Sequence, residues 1–216
     1  MNQAHEKLSG RQSESTAQQT RQRILLSARH LFALQGFEGI SLRDIASHAE
    51  VTHGLLRHHF GSKEAIWQAV VDAALAEYLA ALLPLVDAAI AEQHEPSAVI
   101  QRSVATIIRL SASFCEVPRL MVHESISGGE RLNYFMQQLR PLSAMMQPFF
   151  EAMRAEGKFQ QFSHPTFLLA VISLGILPLA LASFSNALAQ IDILEQAELE
   201  RHIERVIATL MPWTAV

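Results

Sequence analysis

Residues 41–64 read SLRDIASHAEVTHGLLRHHFGSKE, and this stretch decides the fold of the N-terminal part of the chain. Ser41 stands three residues before Asp44, a spacing in which the hydroxyl caps the Asp44 N–H while the carboxylate bonds back to the helix start. Thr52 is a second N-cap, because another short helical stretch follows it to about His59. The sequence therefore predicts two short helices joined by a tight turn near Glu50.

A longer helix flanks this pair on each side. The residues before it place apolar side chains three and four positions apart, as an amphipathic helix does, and Gly36 ends the run as a C-cap glycine. After Gly61 and Ser62 a long helix follows. Two short helices packed on a longer one are typical of helix-turn-helix proteins, in which the second short helix enters the major groove of DNA.

The second short helix carries groups that suit a contact with DNA. Thr52 offers a hydroxyl beside the free N–H groups of a helix N-terminus, and Gly54 permits close approach. Arg43 and Lys63 extend from the neighbouring helices toward the same surface. The other polar candidates on this helix are His53, Arg57, His58 and His59.

Alternatives stay open for these side chains. His58 and His59 are either DNA contacts, solvent-exposed positions or, with His53, part of a metal cluster, for which no nearby carboxylate completes a ligand set. Arg43 and Lys63 are either DNA contacts or solvated charges. We predict no metal and no cofactor.

The charge is distributed unevenly along the chain. The whole protein has a formal charge of -4, but residues 1–64 contain eight lysines and arginines against six acidic residues. The remaining residues contain nine against fifteen. A weakly basic N-terminal module joined to an acidic remainder is expected when one end of a protein meets a polyanion.

The remainder of the chain indicates helices throughout, because three- and four-residue spacing recurs and alternating strand patterns are scarce. Seven prolines divide it into helical segments, with proline in first turns or at kinks. The last helix, near residues 195–211, has one apolar side. We expect it to form a four-helix bundle at a subunit interface together with the residues between Lys158 and Asp192, which lack Asp, Glu, Lys and Arg. A single cysteine, Cys115, excludes an intramolecular disulfide and fits a reducing cytoplasm.

Two segments need separate interpretation. Residues 1–19 are polar and lack the apolar region of a secretory signal, which predicts a disordered tail. Residues 167–184 are long and uncharged enough to raise the question of a membrane span. With no flanking basic cluster, they are interpreted as a buried or subunit-interface helix, with membrane contact as the alternative.

The C-terminal part mixes apolar and polar residues as a ligand cavity does. The candidates are Arg119, His123, Glu124, Tyr134, Met145 and Phe149, with ordinary packing as the alternative for each. Cys115 is either a buried small side chain or a redox sensor. A catalytic pairing of Cys115 with His123 lacks an oxyanion donor, and no phosphate loop, nucleophile elbow or HExxH motif is present.

Residues 20–67 resemble the DNA-binding domain of the TetR family of transcriptional regulators. The resemblance rests on Arg21, Ile24, Ala28, Leu31-Phe32, Gly36-Phe37, Ser41, Ile45-Ala46, Val51-Thr52, Gly54, Leu56, His59-Phe60 and Ser62-Lys63-Glu64. It implies that phosphates are held by Ser41, Thr52, His59 and Lys63. It also implies that Arg43, His53, Gly54 and Leu55 lie nearest the base edges.

Two positions depart from the family pattern. The family usually has an aromatic residue at Arg57, so a longer cationic contact replaces it and, with His58, alters site preference. The turn usually carries glycine where this chain has Glu50, which costs about 1 kcal/mol if the position is left-handed.

We therefore expect an all-α protein with a tail at 1–19, a three-helix helix-turn-helix domain at 20–65, and a helical ligand-binding and dimerisation domain at 66–216. The resemblance implies a cytoplasmic homodimer, more a repressor than an activator, that a small molecule releases from a palindromic operator. An activator or a ligand-independent regulator of the same fold is the alternative, and an enzyme is a remote one.

Overall fold

The computed structural model describes the backbone of residues 2–92 and 95–214 and the side chains of residues 16–92 and 95–213. Every regular element in these ranges is a helix, which confirms the prediction of an all-α fold. The chain divides into two compact units, Met1–Ala74 and Leu75–Val216.

The first unit holds three helices and the first turns of a fourth. They are α1 (Asn2–Gln35), α2 (Leu42–His48), α3 (His53–Phe60) and α4 (Lys63–Glu92), which continues into the second unit. α1 begins at Asn2. The backbone of residues 2–19, for which the sequence predicts a disordered tail, is therefore helical. The side chains of residues 1–15 lie outside the described part, and the predicted domain boundaries stay predictions.

The caps that define α2 and α3 are those read from the sequence. At the start of α2, the Asp44 N–H donates to the Ser41 hydroxyl at 3.2 Å, and the Ser41 N–H donates to the Asp44 carboxylate at 2.8 Å. At the start of α3, the Leu55 N–H donates to the Thr52 hydroxyl at 3.2 Å. Between the two helices Glu50 has a φ of 54°, which is the left-handed turn position.

The second unit contains the rest of α4 and the helices that follow. These are α5 (Pro96–Ser113), α6 (Glu116–Ser127), α7 (Gly129–Ala155), α8 (His164–Val171), α9 (Leu177–Ala180), α10 (Ala182–Ala189) and α11 (Gln196–Leu210), with a π-helical turn at Ile172–Ile176 and a 3-10 turn at Pro212–Thr214. Arg109 of α5 makes a bidentate ion pair with Glu200 of α11. Its Nε donates to Oε1 at 2.7 Å and its Nη2 donates to Oε2 at 2.6 Å.

The prolines do not all separate helices. Pro96, Pro165 and Pro178 stand in first turns, as expected. Pro84 lies inside α4, and Pro141 and Pro148 lie inside α7. Packing of the long helices therefore outweighs the hydrogen bond that an internal proline removes.

The apolar stretch 167–184 is divided between interior and surface. Phe167, Val171 and Leu179 are buried, whereas Leu181 and Phe184 are exposed. The chain bends by 85° between His164–Ala180 and Ala182–Ala189. Among the residues that the structure describes, α4 and at most this bent pair are long and apolar enough to cross a membrane, a test that the core helix of a soluble protein also meets.

Candidate nucleic-acid interface and apolar cavity

The outer face of α3 presents the residues that the sequence singled out for DNA. His53, Gly54, Leu55, Arg57 and His58 are all exposed. Leu56, on the opposite face, is fully buried and fixes α3 in the first unit. The predicted base-facing and cationic residues therefore share one free surface.

Gly54 leaves open space on that surface. A Cβ built at this position would meet no heavy atom of the chain within 4 Å. The glycine is therefore not required by packing inside the protein, and the space in front of it is available to an external backbone or base. Leu55 beside it is 38% exposed, so it can offer an apolar contact to a thymine methyl group.

A shallow groove brings four of the predicted DNA-contacting residues together. It is lined from the start of α2 by Ser41 and Arg43, from α3 by Arg57 and from the start of α4 by Lys63. Thr52, His53 and Gly54 do not line this groove and lie at the N-terminal end of α3. The predicted contacts thus fall into two groups, one that lines the groove and one at the N-terminal end of α3.

Two cations are positioned by aromatic rings. The Lys63 ammonium lies 4.0 Å from the centroid of the Phe37 ring, and the Arg21 guanidinium lies 4.9 Å from that of Phe60. Such contacts contribute about 0.5–1 kcal/mol at exposed sites. They restrict the long side chains and so lower the entropy that a phosphate contact would cost.

The histidines have aromatic neighbours instead of carboxylate ones. The rings of His58 and His59 are 5.7 Å apart, and the His59 and Phe60 rings are 6.4 Å apart. Within the residues searched, which are those the structure describes, no three His, Cys, Asp or Glu side chains could hold a metal ion. The sequence also gave no signal for the stacking of His30 on His48, at 5.5 Å.

The α2 cap lowers the pKa of the Asp44 carboxyl group. Hydrogen bonds from the Ser41 hydroxyl and then from the Ser41 N–H hold the pKa of this carboxyl below its usual value. Because the Ser41 hydroxyl donates to Asp44 at 2.6 Å, a phosphate at this point would be met by the remaining free N–H groups of the helix start.

The second unit encloses an apolar cavity of about 450 Å³, within the range of small-molecule sites. Five consecutive helices and the π-helical turn contribute to its wall. The lining residues are Tyr78, Ile107, Ser111, Val117, Pro118, Met121, Phe135, Met136, Leu139, Arg140, Leu142, Ser143, Met146, Pro165, Leu168, Leu169, Val171, Ile172 and Ile176.

Polar groups in this wall are few. The Tyr78 and Ser111 hydroxyls lie 3.2 Å apart, and burial raises the pKa of the Tyr78 phenol. Arg140 is exposed and also lines the cavity. The cavity therefore suits a ligand with a large apolar body.

The six residues proposed from sequence as ligand contacts do not line this cavity. Arg119, His123 and Glu124 lie on α6, and Tyr134, Met145 and Phe149 lie on α7. The lining residues of those helices are one to three positions away, such as Met121 and Met146. The expected helices are thus used, but other residues of each helix line the cavity, and which residues do so depends on tertiary packing.

Glu124 has an internal role. Its side chain is 2% exposed and pairs with Arg131 of α7 at 3.0 Å, which supplies the partner that a buried charge requires. Cys115 is half-buried just before α6, and its role in redox sensing stays untested.

Comparisons with known proteins give one family and one fold. Residues 24–70 match the family model described as bacterial regulatory proteins, tetR family. The HTH-type transcriptional regulator UidR of Escherichia coli K12 is 43% identical over 58 residues, which are 27% of this chain and 30% of that protein. The HTH-type transcriptional repressor Rv3405c of Mycobacterium tuberculosis H37Rv is 47% identical over 49 residues, 23% of this chain and 26% of that protein.

The chain thus matches less than a third of the length of these curated relatives. A crystal structure of AibR in complex with isovaleryl coenzyme A and operator DNA has a similar fold, with a TM-score of 0.70, 17% identity, and coverage of 89% of this chain and 98% of that one. The structural similarity shows a shared fold over 89% of this chain.

Proposed function

We propose that this chain, whose residues 24–70 match the tetR family model, is a DNA-binding transcriptional regulator of that family that acts as a homodimeric repressor and is released from its operator by a small apolar molecule. The observation that carries the proposal is the outer face of α3. There an open glycine, an exposed leucine and cationic side chains adjoin a capped helix N-terminus.

In the proposed complex, phosphates and bases are met by different parts of this surface. Thr52, His59 and Lys63 hold phosphates, Arg21 and Arg57 add cationic contacts, and His58 adds a hydrogen bond. Both donors of Ser41 are taken by Asp44, so its part in phosphate binding is to cap the helix start whose free N–H groups face the phosphate. Arg43, His53, Gly54 and Leu55 approach base edges, since the N-terminal residues of a recognition helix lie deepest in the groove. Phosphate contacts by lysine and arginine make such binding steeply dependent on salt.

Dimerisation is proposed through the exposed apolar surface near the end of the chain. The exposed residues there are Leu169, Leu174, Leu181, Phe184 and Leu188. A second copy related by twofold symmetry would cover the same surface on both subunits. The sequence suggested that the apolar side of α11 would join this interface, but Leu199, Ile203 and Val206 are buried within the chain itself.

Ligand release is proposed through the apolar cavity. A molecule bound there would favour a subunit geometry in which the two recognition helices no longer match the groove spacing, with a coupling free energy of about 1–3 kcal/mol. The fold that this chain shares with AibR, which was crystallised with isovaleryl coenzyme A and operator DNA, supports a ligand-responsive regulator. The relative named as a repressor supports the sign of regulation.

The proposal is tested on a site selected by the purified protein from random double-stranded DNA. We expect two half-sites about one helical turn apart, bound by two protein chains. Scrambling one half-site should abolish tight binding by the dimer. Tight binding of two chains to a single intact half-site would contradict the symmetric arrangement, and release by no apolar metabolite would contradict ligand control.

A further inference from the structure

A second cavity, of about 30 Å³, lies beside the apolar cavity in the second unit. Its wall comes from α5, α7 and α8. Ile107, Met146, Leu168 and Val171 line both cavities. These shared residues separate the two spaces, and the unbranched, flexible side chain of Met146 is suited to a movement that would join them.

Two polar atoms in the small cavity have no hydrogen-bond partner among the residues that the structure describes. They are the hydroxyl of Ser103, whose residue is 1% exposed, and Nε2 of His164, whose residue is 8% exposed. Buried polar atoms are almost always hydrogen-bonded, because an unpartnered one costs about 1–3 kcal/mol. Because both residues line one small space, that space is the place where a polar group could supply the missing hydrogen bonds.

The surroundings decide the charge of that occupant. The other residues of the wall are Ile100, Val104, Ile107, Met146, Phe150, Phe167, Leu168 and Val171, so no lysine, arginine, aspartate or glutamate lines it. The His164 ring packs against Phe150, with centroids 5.4 Å apart. The only titratable group in the wall is His164, and burial lowers the pKa of its imidazole. A charged group would therefore be buried here without a lysine, arginine or carboxylate as its counterion, which is unfavourable.

We propose that the small cavity is the polar end of the ligand site, where Ser103 and His164 select a molecule that carries one uncharged hydrogen-bonding oxygen on an otherwise apolar body. The inference rests on the proposed ligand-binding role of the larger cavity. A hydroxyl or carbonyl oxygen fits the volume, which holds about one water-sized group. The apolar body fills the larger cavity next to it.

The experiment compares probes of nearly equal shape on the full-length protein. Ethylbenzene has no oxygen, 1-phenylethanol has a hydroxyl, acetophenone has a carbonyl and phenylacetate has a charge. Their affinities are measured by displacement of an apolar fluorophore bound in the cavity, with the shift in Tm as a second readout. An apolar cavity without polar partners would bind both oxygenated probes more weakly than ethylbenzene, since their oxygen would lose its hydrogen bonds to water.

We expect the wild-type protein to bind 1-phenylethanol or acetophenone about tenfold more tightly than ethylbenzene, and phenylacetate most weakly, a tenfold ratio being about 1.4 kcal/mol. Ser103→Ala and His164→Phe should each remove the preference for oxygen while ethylbenzene still binds. Ser103→Ala should not lower the Tm of the free protein, because it removes an unpartnered hydroxyl. Ser113→Ala, at the exposed end of the same helix, is the matched control and should keep the preference.

The possible failures are distinguishable. If ethylbenzene binds and the oxygen of the other probes gains nothing in the wild-type protein, the small cavity holds water only and this inference is overturned, while the larger cavity remains a ligand site. If none of the probes binds, the proposed ligand-binding role itself fails and the inference falls with it.

Discussion

The ammonium of Lys63, at the start of α4, lies over the ring of Phe37, 4.0 Å from its centroid. This contact joins the first turn of α4 to the segment that follows α1 and holds a positive charge beside Ser41 and Arg43 in the groove. A charge held in this way meets a phosphate with less loss of side-chain entropy than a free lysine.

Removal of one cation should therefore change the salt dependence of DNA binding. We expect Arg57→Ala or Lys63→Gln to weaken binding at low salt and to reduce the slope of log K against log salt by about one contact each. The slope is measured by fluorescence anisotropy on a fixed operator. Arg205→Ala removes the same charge from an exposed position on α11 and should leave the slope unchanged. An unchanged slope in Arg57→Ala would place that residue away from phosphates.

The turn between α2 and α3 stores a small amount of strain. Glu50 has a φ of 54°, a conformation that costs most residues about 1 kcal/mol and costs glycine little. Glu50→Gly should raise the Tm by roughly 2–4 °C if about 1 kcal/mol is recovered in a chain of this size. Glu50→Ala, which keeps a Cβ, should give no such gain, and an equal rise in both variants would assign the effect to the lost charge.

The ion pair between the buried Glu124 and Arg131 should stabilise the second unit, because each charge balances the other. Arg131→Met removes this partner from a carboxylate that is 2% exposed, and we expect a loss of roughly 3 kcal/mol in the free energy of unfolding. Glu124→Gln in addition should recover part of that loss. A double-mutant cycle with urea denaturation measures the coupling, and strictly additive effects would show that the pair does not act as a unit.

The stability of the second unit should fall in mild acid because of His164. Burial lowers the pKa of this imidazole, although the charge of Glu151 opposes the shift. The folded protein therefore binds this proton less readily than the unfolded chain. The contribution is fully present above about pH 6.5, the ordinary value, and is lost as the pH falls through the lower pKa of the folded state.

We expect the Tm of the wild-type protein to drop between pH 7.5 and pH 5.5, and His164→Phe to show a smaller drop. Carboxyl groups with lowered pKa values, such as those of Glu198 and Glu200, lose their contribution at more acid pH. The chain has ten histidines, so the difference between the two proteins, and not the drop itself, reports on His164. An equal drop in both proteins would show that His164 titrates freely.

The local features of the fold could be predicted from the sequence, whereas the features that depend on tertiary packing could not. The caps at Ser41 and Thr52 and the left-handed Glu50 are decided within a few residues, and each was found where the sequence indicated. The cavity wall depends on which face of α6 and α7 turns inward. The residue type alone does not show whether a side chain lines the cavity. A buried carboxylate such as that of Glu124, for example, can be paired either with an arginine of the same chain or with a ligand.

Two further features also depend on tertiary packing. The apolar side of α11 was assigned to a subunit interface, but an apolar stripe of that width packs equally well inside one chain. Ser103 and His164 gave no signal in the sequence, since a lone serine and a lone histidine are common in helical proteins. Their significance comes from the absence of partners around them in the described part of the structure.

The most direct test of the central claim, that the outer face of α3 lies against duplex DNA, is Gly54→Glu. A Cβ built here meets no heavy atom of the chain within 4 Å, and a carboxylate near a helix N-terminus is favourable, so the Tm should be unchanged or slightly raised. Affinity for the selected operator should fall at least about 100-fold, because the new charge would face phosphates and base edges. Ala208→Glu, on the exposed side of α11, should bind DNA like the wild type. A folded Gly54→Glu protein that keeps wild-type affinity would contradict the account.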